Sequence, residues 1–298
     1  MKLIALFGLA SLATFGAVDQ HADHKADGTA SCCAAPQTEV VYSYLELKTA
    51  LPDGTVTGTV TGKISYNGKA IKEVPLPIND KAAKGCTDGK VDPTDRSLVV
   101  DKDGGIANVV VTIKVKGAEV KVPKEPIKMD QMACRYEPHV VLIPVGSTVK
   151  YFNSDKISHN VHTIAPRNGP INKMVAAGSS ESQVLKRPEK IKVKCDVHPW
   201  MDARMFVTDQ PYTAITAADG SFSIEGVPAG KHKTEFWHEK FGTVKGDPIV
   251  VKDGSSEVIE LKMGAEKKKG GRNGRKNSRK DKAKDKDKDK GDGDGRRS

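Results

Sequence analysis

Positions 195 to 201 read Cys195-Asp196-Val197-His198-Pro199-Trp200-Met201, which sets a thiol, an imidazole and a thioether at successive spacings of three. Thiolate and thioether suit Cu(I), and imidazole serves both copper oxidation states. The residues before the thiol alternate as Lys190-Ile191-Lys192-Val193-Lys194-Cys195. On a strand the lysines share one face while Ile191, Val193 and Cys195 share the other, so the thiol is directed into a core. A turn after Cys195 then brings His198 and Met201 back over it. A further nitrogen donor lies 36 residues upstream, in Ser158-His159-Asn160-Val161-His162. If that segment is extended, His159 and His162 lie on opposite faces and cannot both be ligands; we take His159. Two imidazoles, one thiolate and a weak thioether describe a mononuclear copper site for electron transfer. Zinc competes for a Cys/His set, but Met as fourth ligand argues against it. A buried site of compromise geometry changes little as copper cycles, which favours fast one-electron exchange.

These residues resemble the cupredoxins, the blue copper family of plastocyanin and amicyanin. The C-x-x-H-P-[FW]-M loop, with two residues between His198 and Met201, is most similar to amicyanin. The His159-Asn160-Val161-His162 segment is similar as well, as is Val145-Gly146-Ser147-Thr148-Val149 ahead of Asn153. The resemblance covers roughly residues 135 to 208. It implies a type 1 copper held by His159, Cys195, His198 and Met201, with Asn160 tying the ligand loops together. The chain departs from the family at Ser158, where Pro is frequent, and at Asp196, where a small hydroxyl residue is common after the Cys.

The elements that would carry these ligands are β-strands. Thr57 to Tyr66 alternates around Val60, Ile64 and Tyr66, and Asn67-Gly68 supplies the left-handed pair of a two-residue hairpin. Further strands are expected at Ser97 to Asp101, Ile106 to Val115, His139 to Val145, Thr148 to Asn153, Gln183 to Lys186 and Lys190 to Cys195. No long amphipathic helix is indicated, and many short strands separated by Gly, Pro, Asn and Asp argue for a sandwich or barrel. A second β unit is expected from Pro211, with Asp219-Gly220 between Tyr212 to Thr216 and Ser221 to Ile224. Asp253-Gly254 is expected to join Pro248 to Val251 and Glu257 to Leu261 as a hairpin. This unit resembles the carboxypeptidase regulatory-like domain, a transthyretin-like sandwich whose turns and aromatics are architectural. The resemblance implies no catalytic set. The fold expected is all-β: a Greek-key cupredoxin β-sandwich over 54–210 followed by a small transthyretin-like β-sandwich over 211–263.

Two flanking segments differ in kind. Met1-Lys2 followed by Leu3 to Val18 reads as a signal peptide over residues 1–18, followed by a polar linker over 19–53. Export to the periplasm or cell surface follows. The segment 264–298 lacks aromatic residues and holds +8 of the chain's net +10 charge, so the basic balance belongs mostly to this tail. Its composition cannot bury enough apolar surface to offset chain entropy, and disorder is expected. Lys267 to Arg279 suits an anionic surface. An oxidising compartment permits disulfides. Of the five cysteines, Cys86 and Cys134 are expected to pair, leaving Cys195 for chemistry. Vicinal Cys32 and Cys33 sit in the linker, where His21 and His24 are also found.

No phosphate-cradling glycine motif, nucleophile elbow, H-E-x-x-H or paired-carboxylate arrangement occurs, and no apolar run after the leader approaches the roughly 18 residues that span a bilayer. A nucleic-acid role, a nucleotide-driven enzyme and an integral membrane protein are therefore not indicated. The expected function is an exported, non-enzymatic electron carrier with redox protein partners, some of them acidic, docking over the edge of His198 beside an apolar patch of Pro199 and Trp200. The alternative is copper storage or a structural cell-surface role. His139 is expected to be a structural strand residue, His162 a rim residue, and Trp237-His238 a core pair.

Overall fold

A computed structural model describes residues 54–71, 75–86 and 91–264. The expected leader, the linker with His21, His24, Cys32 and Cys33, and the tail beyond Gly264 lie outside the described residues. Among the described residues the fold is all-β, with a single four-residue helix, and no helix there is long and apolar enough to cross a membrane. In chain order the strands are β1 (Thr57–Tyr66), β2 (Val110–Lys114), β3 (Ile127–Met132), β4 (Arg135–Glu137), β5 (Val140–Pro144), β6 (Thr148–Asn153), β7 (His159–Ile164), β8 (Asn172–Val175) and β9 (Ser180–Val184). They continue as β10 (Glu189–Lys194), β11 (Asp202–Thr208), β12 (Thr213–Ile215), β13 (Ser221–Pro228), β14 (Gly230–His238), β15 (Gly242–Lys245), β16 (Ile249–Val251) and β17 (Ser256–Met263). The helix α1 (Asp80–Ala83) lies between β1 and β2.

One sandwich is continuous in sequence. Its sheets run β5-β11-β10-β7-β8 and β4-β3-β6-β9, and they enclose a core that includes Met129, Tyr136, Ile143, Tyr151, Ile191, Val193 and Met205. The other sandwich is not continuous. Its sheets run β13-β1-β17 and β12-β2-β14-β15, with β16 on β14, around Val60, Ile64, Val111, Ile113, Ile224 and Phe236. Strands β1 and β2, read from sequence into the 54–210 unit, thus pair with strands from beyond Pro211. Alternation alone marks a half-buried strand and carries no information on which distant strand it meets.

None of the three turn dipeptides closes the expected two-strand hairpin, and at Asn67-Gly68 neither residue has positive φ. Asn67-Gly68 does not return β1 onto a neighbour; β1 is flanked by β13, antiparallel, and β17, parallel. Asp219-Gly220 and Asp253-Gly254, with Gly220 and Gly254 at φ 79° and 61°, carry the chain from one sheet to the facing one. β12 pairs with β2 while β13 pairs with β1, and β16 pairs with β14 while β17 pairs with β1. Positive φ reverses the chain, but the buried faces decide which strands pair. Ser97 to Asp101 contributes only a bridge, Val100 to Ile106.

β5 shows how the sandwiches join. Its run Val140-Val141-Leu142-Ile143-Pro144 is buried throughout, because Val141 and Ile143 face the first core while Val140 and Leu142 meet Val110, Phe206 and Trp237. A strand covered on both faces loses its polar alternation. The Phe206 and Trp237 ring centroids are 5.6 Å apart. His139 Nε2 lies 2.5 Å from Glu239 Oε1, and Arg204 Nη2 the same distance from Glu239 Oε2, so a buried ion network spans the seam.

At Gly105 a Cβ would collide with the backbone carbonyl of Asp219, where the loop before β2 crosses the β12–β13 corner. Gly105→Ala is expected to destabilise the protein by about 1–3 kcal/mol through this overpacking, read as a lowered midpoint in chemical denaturation.

Candidate metal centre

β10 aims its side chains as period two dictates: Ile191 and Val193 are fully buried, and Cys195 follows them into the same core. The chain then turns. The Met201 amide donates to the His198 carbonyl at 2.9 Å and the Cys195 amide to the Met201 carbonyl at 3.1 Å, closing a compact loop that leads into β11. His198 is thereby folded back over Cys195, with Nδ1 3.8 Å from Sγ. Trp200 fixes the loop from below, its Nε1 donating to the Cys134 carbonyl at 3.2 Å.

His159 opens β7 and is fully buried. The loop that delivers it is pinned by Asn153, whose Nδ2 donates to the carbonyls of Ile157 (2.7 Å) and Val175 (2.8 Å) and whose Oδ1 accepts the Asp155 amide (3.0 Å). Asn160 ties the two ligand loops. Its amide donates to Cys195 Sγ at 3.3 Å, its Oδ1 accepts the Asp196 amide at 3.1 Å, and its Nδ2 donates to Asn172 Oδ1 at 2.6 Å.

Cys86 and Cys134 form a disulfide. Cys134 sits with Ala133 at the tip between β3 and β4, both at φ 53°, a left-handed pair that costs roughly 1–2 kcal/mol per non-glycine residue. The Asp155 carboxylate offsets that cost, accepting the Ala133 amide at 2.7 Å and the Cys134 amide at 2.8 Å. The disulfide in turn holds the segment ending in α1 against the ligand loop. α1 is begun by Asn79, whose Oδ1 accepts the amides of Lys81 and Ala82, and the Ala82 carbonyl meets His198 Nε2 at 3.2 Å.

The decisive geometry is between the rings. His159 Nε2 lies 2.7 Å from Asp155 Oδ2 and His198 Nε2 3.2 Å from the Ala82 carbonyl. A carboxylate and a carbonyl only accept, so both Nε2 atoms carry hydrogen. Both neutral imidazoles then present Nδ1 lone pairs to each other, and those atoms are 3.0 Å apart. A cation shared between them relieves that opposition, either a metal ion or a proton that makes one ring an imidazolium donating to the other. Two nitrogens bound at about 2.0–2.1 Å to one tetrahedral ion would sit about 3.3 Å apart, close to what is seen. His159, Cys195 and His198 offer donor atoms within 4.8 Å of one another, all buried, a set that suits metals taking imidazole and thiolate, copper and zinc among them. Cys86 and Cys134 lie on the far, Nε2 side of the rings, 3.9 Å from His198 and 3.7 Å from His159, and their disulfide leaves no thiolate to compete.

Burial opposes ionisation of the Cys195 thiol, but His159, His198 and the Asn160 amide outweigh it and bring its pKa down to about 6. Burial likewise opposes a charged His159, yet Asp155 and Cys195 hold its pKa above the ordinary imidazole value. The pocket is therefore built to keep a thiolate.

Of the residues singled out by sequence, the structure brings His159, Cys195 and His198 together, with Asn160 between them. Met201 is fully buried in the same core. His162 lies on the opposite face of β7 and pairs with Asp196, Nδ1 to Oδ2 2.8 Å. His139 belongs to the seam with Glu239, and His238 is buried, its pKa pushed down to about 4 by desolvation. One expectation is corrected: His198 is 2% exposed and Trp200 6%, so only Pro199 of the proposed docking patch reaches the surface. The 75–86 segment, stapled by Cys86 to Cys134, covers the imidazole edge. Asp155 and the Ala82 carbonyl were missed. Neither carries a sequence signal, since one is an acid in a loop and the other a backbone atom.

No protein-family model matches the chain, and no curated protein does. Solved structures similar to part of it include a purple cupredoxin from Nitrosopumilus maritimus, at 26% identity over 28% of this chain and 99% of that one, with a TM-score of 0.25. A reduced amicyanin variant is similar at 25% identity over 33% of this chain and 98% of that one, with a TM-score of 0.27. A copper-containing nitrite reductase from Thermus scotoductus SA-01 is similar at 22% identity over 32% of this chain, with a TM-score of 0.27, and the match spans 25% of the reductase.

In the metal-free protein, ultraviolet thiolate absorbance is expected to appear as pH rises through about 6 and to be missing in Cys195→Ser. A thiol whose pKa falls from 9.0 to about 6 on folding contributes stability that is complete above 9 and lost as pH falls through 6, because only the unfolded state holds the proton in between.

Proposed function

We propose that the chain is an exported copper protein of the cupredoxin kind, with one type 1 site formed by His159, Cys195, His198 and Met201, and that it passes single electrons between redox proteins. The observation that carries the reading is the pair of Nδ1 lone pairs facing each other at 3.0 Å beside a buried thiol. Copper bound there supplies a one-electron couple in a thiolate and imidazole field. The protein's own part is to hold that field fixed. Asn160 donates to the sulfur, Asp155 and Ala82 lock both ring orientations, and the disulfide keeps the cover over His198 in place. Preset ligands need little rearrangement when the charge changes, which is what a carrier, as opposed to an enzyme with an open substrate position, requires.

The second sandwich, which resembles a transthyretin-like unit, serves in this reading as a rigid support. Its contacts through Trp237 and the Arg204-Glu239-His139 network brace β5 and β11, the latter entering directly from the Met201 loop.

Burial of His198 favours a second reading, copper retention. An imidazole edge covered by α1 and a disulfide lengthens the path to any docked partner. Slow electron self-exchange together with Cu(I) that resists extraction by a chelator would select retention; fast self-exchange would select the carrier.

Titrating the full-length protein with Cu(II) is expected to give an intense thiolate-to-copper absorption band and a narrow copper hyperfine splitting, saturating at one equivalent. Cys195→Ser and His198→Ala are each expected to abolish that band. An ordinary tetragonal Cu(II) spectrum in the folded protein would overturn the assignment.

A further inference from the structure

We infer that Asp155 is a positioning residue for the metal centre, fixing the tautomer of His159 and strengthening that imidazole as a donor to copper. The statement about copper rests on the reading above; the statement about the tautomer does not.

Asp155 is held from several directions. Oδ1 accepts the Ala133 amide at 2.7 Å, Oδ2 accepts the Cys134 amide at 2.8 Å, and Oδ2 also faces His159 Nε2 at 2.7 Å. Its own amide is fixed by Asn153 Oδ1 at 3.0 Å. The carboxylate side chain is 10% exposed, so water does little to weaken its hold on the ring. It cannot swing away, and it cannot donate while ionised, so the hydrogen stays on Nε2 and the Nδ1 lone pair stays aimed at His198 and Cys195. A carboxylate behind a ligating histidine raises the basicity of the ligand nitrogen. A fixed negative charge one imidazole away also favours the more highly charged copper state.

The two histidines are thereby made unequal. His198 has a neutral carbonyl behind it, from Ala82, whereas His159 has a carboxylate. Asp155 also couples the metal loop to the disulfide, because one carboxylate holds both the His159 ring and the backbone of Cys134. A purely structural role, supporting the left-handed pair at positions 133 and 134, would explain the amide contacts but would leave the His159 tautomer and the reduction potential unchanged when Asp155 is replaced.

The test uses full-length protein in three forms: wild type, Asp155→Asn, which keeps an acceptor oxygen and the shape, and Asp155→Ala. With copper, Asp155→Asn is expected to keep the thiolate-to-copper band while Cu(II) affinity falls about tenfold relative to Cu(I), a rise in reduction potential of about 59 mV. Without metal, nitrogen-15 NMR of the wild type is expected to place the His159 hydrogen on Nε2, and Asp155→Ala to release the ring to the other tautomer. An unchanged potential and an unchanged tautomer in folded variants would overturn the inference. If wild-type protein shows no such band, the copper reading fails by itself, and the metal-free tautomer then decides the role of Asp155.

Discussion

Two imidazole nitrogens that each point a lone pair at the other cannot be left alone in a dry core. The contacts around the centre hold His159 and His198 face to face, with their Nδ1 atoms placed for a shared proton or metal ion. Their outer nitrogens must be occupied by acceptors, or the rings would rotate and remove the conflict. One acceptor is a carboxylate from the loop that precedes β7 and the other is a helix carbonyl from a distant segment. The second can only be supplied if that segment is anchored, and the Cys86–Cys134 bond provides the anchor. On chain-entropy grounds, a cross-link enclosing a loop of this length stabilises by about 4 kcal/mol, and here it also holds the cover of the site in place.

The candidate donors could be picked out in the sequence because their chemistry is local. Cys195, His198 and Met201 fall within one turn-sized loop, and the alternation of Lys190 to Lys194 states which way the thiol faces. The choice between His159 and His162 follows from strand periodicity alone. The partners of the outer nitrogens were illegible for the opposite reason. Asp155 acts through a loop whose path is set by Asn153, and Ala82 acts through a main-chain atom that any residue would possess. The same division holds for the fold. β1 and β10 announce themselves by alternation, whereas the pairing of β1 with β13 and β17 depends on apolar faces far apart in the chain. The glycine turns at 219–220 and 253–254 specify reversal without specifying partner.

Charge in this molecule is arranged by burial as much as by number. Exposed pairs such as Lys173 with Glu181 or Lys102 with Asp103 are screened and contribute little. Asp155 with His159 and Glu239 with His139 and Arg204 are sheltered, and both lie where one piece of chain must be held against another. The first fixes the loop before β7 to the β3–β4 tip; the second fixes one sandwich to the other.

The second sandwich is discontinuous in the chain and the first is not. All strands of the first sandwich lie between residues 127 and 208, so it can close from one continuous stretch. β1 stays unpaired on both flanks until it meets β13 and β17, the latter in parallel register with it from Thr59 opposite Ser256 to Tyr66 opposite Met263. Such long-range parallel pairing is slow to form and leaves strand edges exposed in the interval. The half that carries His159, Cys195 and His198 thus folds from one continuous stretch, while the supporting half keeps open strand edges until its two distant segments have met.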